Sequence, residues 1–129
     1  MTPNDDDDGL LERLGGPQGI LAIVDDMYGR VLKDDELAPF FASTSMERLR
    51  QMQYEFIVSA FGGPIAYSGA EMAAVHRGRG ITGNHFARFC SHFIDAMEAR
   101  GADARDLDQA LIRLSMFKDR VTGEGSIGA

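Results

Sequence analysis

The sequence predicts an all-α domain, and three observations lead there. Apolar side chains recur at intervals of three and four residues along successive segments, the spacing of one helix face. No segment sustains the every-other-residue alternation of a half-buried strand. Between the periodic segments stand glycine and proline clusters that stop helices: Gly15-Gly16-Pro17, Pro39, Gly62-Gly63-Pro64, Gly78 with Gly80, and Gly101.

The elements follow in order. Pro17 suits a first helical turn, where its missing N–H costs nothing. From it Ile20, Ile23, Val24, Met27, Tyr28, Val31 and Leu32 form one stripe. A short segment around residues 37–41 comes next. Ser43, Thr44 and Ser45 then offer caps for a helix carrying Met46, Leu49, Gln53, Phe56, Ile57 and Ala60. Residues 71–76 have room for only a turn or two. Thr82 caps a long helix with Phe86, Phe89, Cys90, Phe93, Ile94 and Met97 on its inner side, and Gly101 stops it. Asp103 caps the last helix, whose stripe is Leu107, Leu111, Leu114, Phe117 and Val121. The two long C-terminal helices are expected as an antiparallel pair.

Composition bounds the function. With 129 residues and 44% hydrophobic side chains, the chain is expected to bury one core as a single domain over residues 10–122. Residues 1–9 are expected as an acidic mobile tail and 123–129 as a flexible one. The four aspartates at 5–8 repel one another and read as a solvated run, with metal binding as the minor alternative. A net charge of −7 with scattered cations argues against nucleic acid as a partner, which needs a concentrated basic face. No apolar run reaches the roughly 20 residues of a membrane span, so no membrane partner is expected. The opening MTPNDDDDG does not read as a secretory signal. A single cysteine, Cys90, cannot form an internal disulfide, which suggests a reducing compartment, the cytoplasm.

Several residues are candidates for chemistry. His85 and His92 are seven apart on one predicted helix. A metal pair there lacks further ligands, so helix-surface or boundary histidines are the favoured reading. His76 precedes Arg77-Gly78-Arg79-Gly80, whose glycines let a planar group approach the imidazole; a structural role for a lone histidine is the alternative. Tyr28 and Gln53 interrupt otherwise apolar stripes. A buried hydroxyl and a buried amide need partners. Either they form a small core network, or they surround an enclosed polar ligand.

Taken together, these residues resemble the truncated haemoglobins, specifically their group I branch. The matching elements are Leu14-Gly15-Gly16, Tyr28 with Arg30-Val31-Leu32, Leu37-Ala38-Pro39-Phe40-Phe41, and Gln53-x-x-Phe56. They continue with Phe61-Gly62-Gly63-Pro64, Tyr67-x-Gly69-x-x-Met72-x-x-Val75-His76, Arg79-Gly80-Ile81-Thr82 and His85-Phe86. Each is weak alone, but their joint order spans nearly the whole chain beyond the acidic run. The absence of tryptophan, with Phe89 in its place, also favours group I.

The resemblance implies a two-over-two helical sandwich around haem b. It implies His76 as the iron's protein ligand, Phe41 on the distal haem face, and Tyr28 with its amide partner Gln53 donating to bound O₂. Leu49 stands where many globins carry histidine. Phe56, Tyr67, Met72, Val75, Ile81, Phe86 and Phe89 become pocket wall, and Arg79 meets a haem propionate. Met52 departs from the pattern, since relatives often place lysine or arginine there; Arg48, Thr44 or water then serves that propionate. The implied ligands are O₂, CO and NO. Conversion of NO to nitrate would need an external electron donor or reductase, because no flavin or nicotinamide fingerprint occurs in this chain. The alternatives are an O₂ or NO storage or sensing globin without turnover, and a haem-free helical interaction bundle.

Overall fold

The structure, a computed structural model, describes residues 5–62 and 80–122. Every regular element among them is helical, in the order α1 (Asp5–Arg13), α2 (Gly16–Val31), a 3-10 segment (Ala38–Phe41), α3 (Met46–Ala60), α4 (Gly83–Ala99), α5 (Ala104–Ser115) and α6 (Lys118–Thr122). Helix α2 is the hub. It packs on α1, α3 and α4, while α4 also contacts α5 and α6.

The corner before α2 shows why glycines stand there. Gly15 and Gly16 have φ of 99° and 62°, left-handed values that only glycine adopts cheaply. A Cβ on Gly19 would lie 1.8 Å from the Leu14 carbonyl oxygen, so the corner closes onto bare backbone. Pro17 occupies the first turn of α2 as expected. The buried face is Ile20, Ile23, Val24, Met27, Tyr28 and Val31. Fully burying such side chains contributes about 1.5–3 kcal/mol each. Leu32, expected on the same stripe, is instead the C-cap and 40% exposed, because the helix ends one residue before it.

The three capped starts form as the sequence suggests. Ser45 accepts from the Arg48 N–H at 3.4 Å, and Asp103 from the Asp106 N–H at 2.9 Å. At α4 the Thr82 hydroxyl accepts from the His85 N–H at 3.2 Å, and the Thr82 N–H donates to His85 Nδ1 at 3.0 Å. That is a reciprocal capping box with histidine in the position glutamate usually takes.

The two ends differ from expectation. Among the described residues α1 already starts at Asp5, ahead of the boundary at residue 10, and Leu10 and Leu14 are buried in the core against α2. Their burial gives the acidic stretch a helix to belong to. At the other end, the single helix expected through Val121 breaks after Ser115. The Ser115 hydroxyl donates back to the Leu111 carbonyl at 2.8 Å, a bond that favours bending. Leu111 is 43% exposed rather than part of the inner stripe, because α5 turns Asp106, Ala110 and Leu114 inward. The break lets Phe117 turn inward onto Phe56, ring centroids 4.8 Å apart and edge-on. Among the described residues no helix is long and apolar enough to cross a membrane.

Candidate functional site

A cavity of about 290 Å³ lies between α2, the 3-10 segment, α3, α4 and the α5–α6 end. That is the lower edge of the size range of small-molecule pockets. Of the residues singled out from sequence, it brings together Tyr28, Phe41, Thr44, Leu49, Met52, Gln53, Phe56, Ile81, Phe86 and Phe89. His76, Tyr67, Met72, Val75 and Arg79 lie outside the described residues. Leu37, Phe40, His85, Cys90, Leu114, Phe117 and Val121 also line the cavity and were not singled out for it. For Leu114, Phe117 and Val121 the signal was present in the final apolar stripe, but a stripe does not say which space it faces.

Tyr28 reaches the cavity from α2. It is 1% exposed, with the rings of Phe41 and Phe89 edge-on at 5.8 and 6.0 Å. Burial pushes its phenol well above the ordinary tyrosine range, and the positive charge of Arg50 acts in the opposite sense. The group is therefore a neutral O–H donor across the physiological range. Among the described residues its hydroxyl has no hydrogen-bond partner. The half-buried Gln53 lines the same cavity, and the two do not bond each other. The hydroxyl opens onto the cavity, so an acceptor arriving there can take its O–H.

Several other polar side chains have clear roles, while the buried Arg50 Nε makes no hydrogen bond among the described residues. Cys90 is a buried thiol pushed up to about 12 by desolvation, which leaves it protonated and unreactive. His85 is engaged by the capping box and rests edge-on against Phe40 at 4.9 Å, whereas His92 Nε2 bonds Asp34 at 2.7 Å. The two histidines thus make separate bonds, His85 at the start of α4 and His92 in its middle. No metal-holding cluster occurs among the described residues. Arg50 ties α3 to α2 through Asp25 at 3.0 Å.

This arrangement fits a flat, largely apolar group with a polar edge. Aromatic and aliphatic walls would cover its faces, Thr44, Ser45 and the exposed Arg48 would meet its edge, and two donors remain for a small polar guest. The bacterial-like globin family matches residues 9–123. The chain belongs to that family. Within it, the chain is 39% identical over 116 residues to a group 1 truncated hemoglobin of Mycolicibacterium paratuberculosis, covering 89% of this chain and 85% of that one. A group 1 truncated hemoglobin of Nostoc sp. is 34% identical over 112 residues, with 87% and 95% covered. Among solved structures, the 2/2 hemoglobin of Synechococcus sp., described with covalently attached heme, superposes with a TM-score of 0.82 at 27% identity, covering 88% and 98%. The truncated hemoglobin of Tetrahymena pyriformis gives 0.82 at 25% identity, covering 87% and 96%.

The fold is thus that of the two-over-two truncated haemoglobins, and the cofactor of this globin is haem with its iron. Globins hold small gas ligands such as O₂ at that cofactor. The aromatic cavity is where the chain's own residues suit it.

Proposed function

We propose that this truncated haemoglobin binds O₂, CO and NO reversibly, and that Tyr28 and Gln53 stabilise the bound ligand. Haem iron supplies reversible coordination of a diatomic molecule and, with O₂ and NO together, the redox chemistry that yields nitrate. His76 is assigned as its protein ligand, with Tyr67, Met72, Val75 and Ile81 as wall and Arg79 beside Arg48 and Thr44 for the haem carboxylates. The single observation carrying the reading is the buried side chain of Tyr28 in an aromatic cavity, its hydroxyl without a partner among the described residues.

The residues have separable tasks. The Tyr28 phenol, kept protonated by burial, donates its O–H to the outer atom of a bound ligand, where negative charge gathers. The Gln53 amide is a second donor. Leu49 has no ligating atom, so no second protein ligand from that position closes the distal side. Phe41, Phe56, Phe86 and Phe89 keep water from the site and strengthen each polar contact inside it. NO conversion to nitrate would use an external reductase for repeated turnover, and a cytoplasmic setting fits that need.

The experiment is absorption spectroscopy of wild type and His76→Ala, ferric, reduced, and reduced with CO, followed by mixing the oxygenated wild type with NO. An intense haem band, a five-coordinate ferrous form and a shifted CO complex are expected, with the signature lost in the variant. An unchanged spectrum in the variant would remove His76 as ligand. Slow or absent nitrate formation would leave a storage or sensing globin.

A further inference from the structure

Asp34 lies in the link after α2, and its side chain is 4% exposed. Its Oδ1 accepts from Arg88 Nη2 at 2.8 Å and from the Glu36 backbone N–H at 2.9 Å. Its Oδ2 accepts from Arg88 Nε at 3.1 Å and from His92 Nε2 at 2.7 Å; a carboxylate can only accept, so that ring nitrogen carries the proton. The Asp34 backbone carbonyl accepts from the N–H groups of Leu37 and Ala38 at 3.0 and 2.8 Å. One residue therefore grips the start of the 3-10 segment with its main chain and α4 with its side chain.

Both elements line the cavity. The 3-10 segment brings in Phe40 and Phe41, and α4 brings in Phe86 and Phe89. Asp34, Arg88 and His92 do not line the cavity themselves. We propose that Asp34 is a positioning residue for gas-ligand binding: anchored by Arg88 and His92, it holds the Phe40–Phe41 wall at the spacing that sets how fast a ligand enters and leaves. A shift of this wall reaches the distal donor directly, because Phe41 packs edge-on against Tyr28. The inference rests on the reading of the cavity as the haem and ligand site.

A second buried carboxylate provides the control. Asp106 pairs with Arg13 at 2.8 Å and is similarly shielded, but it fastens α1 to α5, and neither partner lines the ligand cavity. Asp106→Asn should cost stability as Asp34→Asn does, without touching the walls. Arg88→Met gives a milder break of the Asp34 joint, since Arg88 is 43% exposed and its loss leaves the core intact.

The experiment is laser photolysis of the ferrous CO complex of full-length holoprotein for wild type, Asp34→Asn, Arg88→Met and Asp106→Asn, with the Tm of each. Expected is a change of about threefold or more in CO association for Asp34→Asn and Arg88→Met, with Asp106→Asn within about twofold of wild type despite a lowered Tm. Unchanged rates in both joint variants, or an equal change in Asp106→Asn, would overturn the inference while leaving the haem reading standing. A wild type that takes up no haem would overturn both.

Discussion

Tyr28 is held between Phe41 and Phe89, and the same burial that raises its phenol above the ordinary range makes it a donor that does not ionise. Removing only its oxygen leaves those ring contacts in place, so Tyr28→Phe isolates the hydrogen bond. A buried bond to a ligand carrying partial charge is worth about 1–2 kcal/mol, which converts to roughly five- to thirtyfold in dissociation rate if the bond is lost on leaving. Stopped-flow O₂ release from Tyr28→Phe should accelerate by that amount, with folding stability unchanged or slightly improved. An unaltered release rate would mean that the hydroxyl does not face the bound ligand. At this scale much of the described cavity was legible in the sequence, because Tyr28 and Gln53 are polar interruptions of apolar stripes. His85 was not, since its place depends on where α4 begins relative to the 3-10 segment.

The helices owe their ends to specific chemistry, and the α1–α2 corner makes the sharpest demand. Gly19 sits where Leu14's carbonyl oxygen occupies the space of a Cβ, at 1.8 Å, and the atom in the way is backbone, which cannot rotate aside. Gly19→Ala must therefore push α1 away from α2 and expose part of Leu10 and Leu14. Helix propensity pulls the other way, but by only about 1 kcal/mol. The clash should win, with a net loss of about 2 kcal/mol or more, read as a lower urea midpoint at unchanged slope. A midpoint equal to or above wild type would show that the corner opens at no cost. Helices α2 to α5 were legible because each has a periodic apolar face and a visible start at Pro17, Ser45, Thr82 or Asp103. Helix α1 was not, since its few apolar residues follow a charge run and make too short a stripe. Nor was the break after Ser115, because Leu114, Phe117 and Val121 keep a helical spacing straight across it.

Across the whole molecule the buried carboxylates link elements far apart in sequence, and one of them gives stability a definite pH dependence. Asp34 is held well below the usual carboxylate range, first by its bonds from Arg88, then by His92; desolvation opposes them, and the Glu36 N–H adds a smaller contribution. A carboxyl lowered in the folded state binds fewer protons there than in the unfolded chain, so its stabilisation is complete above the ordinary value of about 4. It fades as pH falls from there through the lowered value. Asparagine at this position cannot titrate, so below about pH 4 the change in the gap reports chiefly on the wild-type carboxyl. Asp34→Asn should therefore unfold at a lower urea concentration than wild type at neutral pH, and the gap should narrow steadily below about pH 4 as the wild-type carboxyl takes up its proton. The neighbouring groups, Arg88, His92 and Glu36, are present in both proteins. A gap of constant size from neutral pH to about pH 2.5 would mean that Asp34 titrates no differently folded than unfolded, and that the joint between the cavity walls is held by shape rather than by charge.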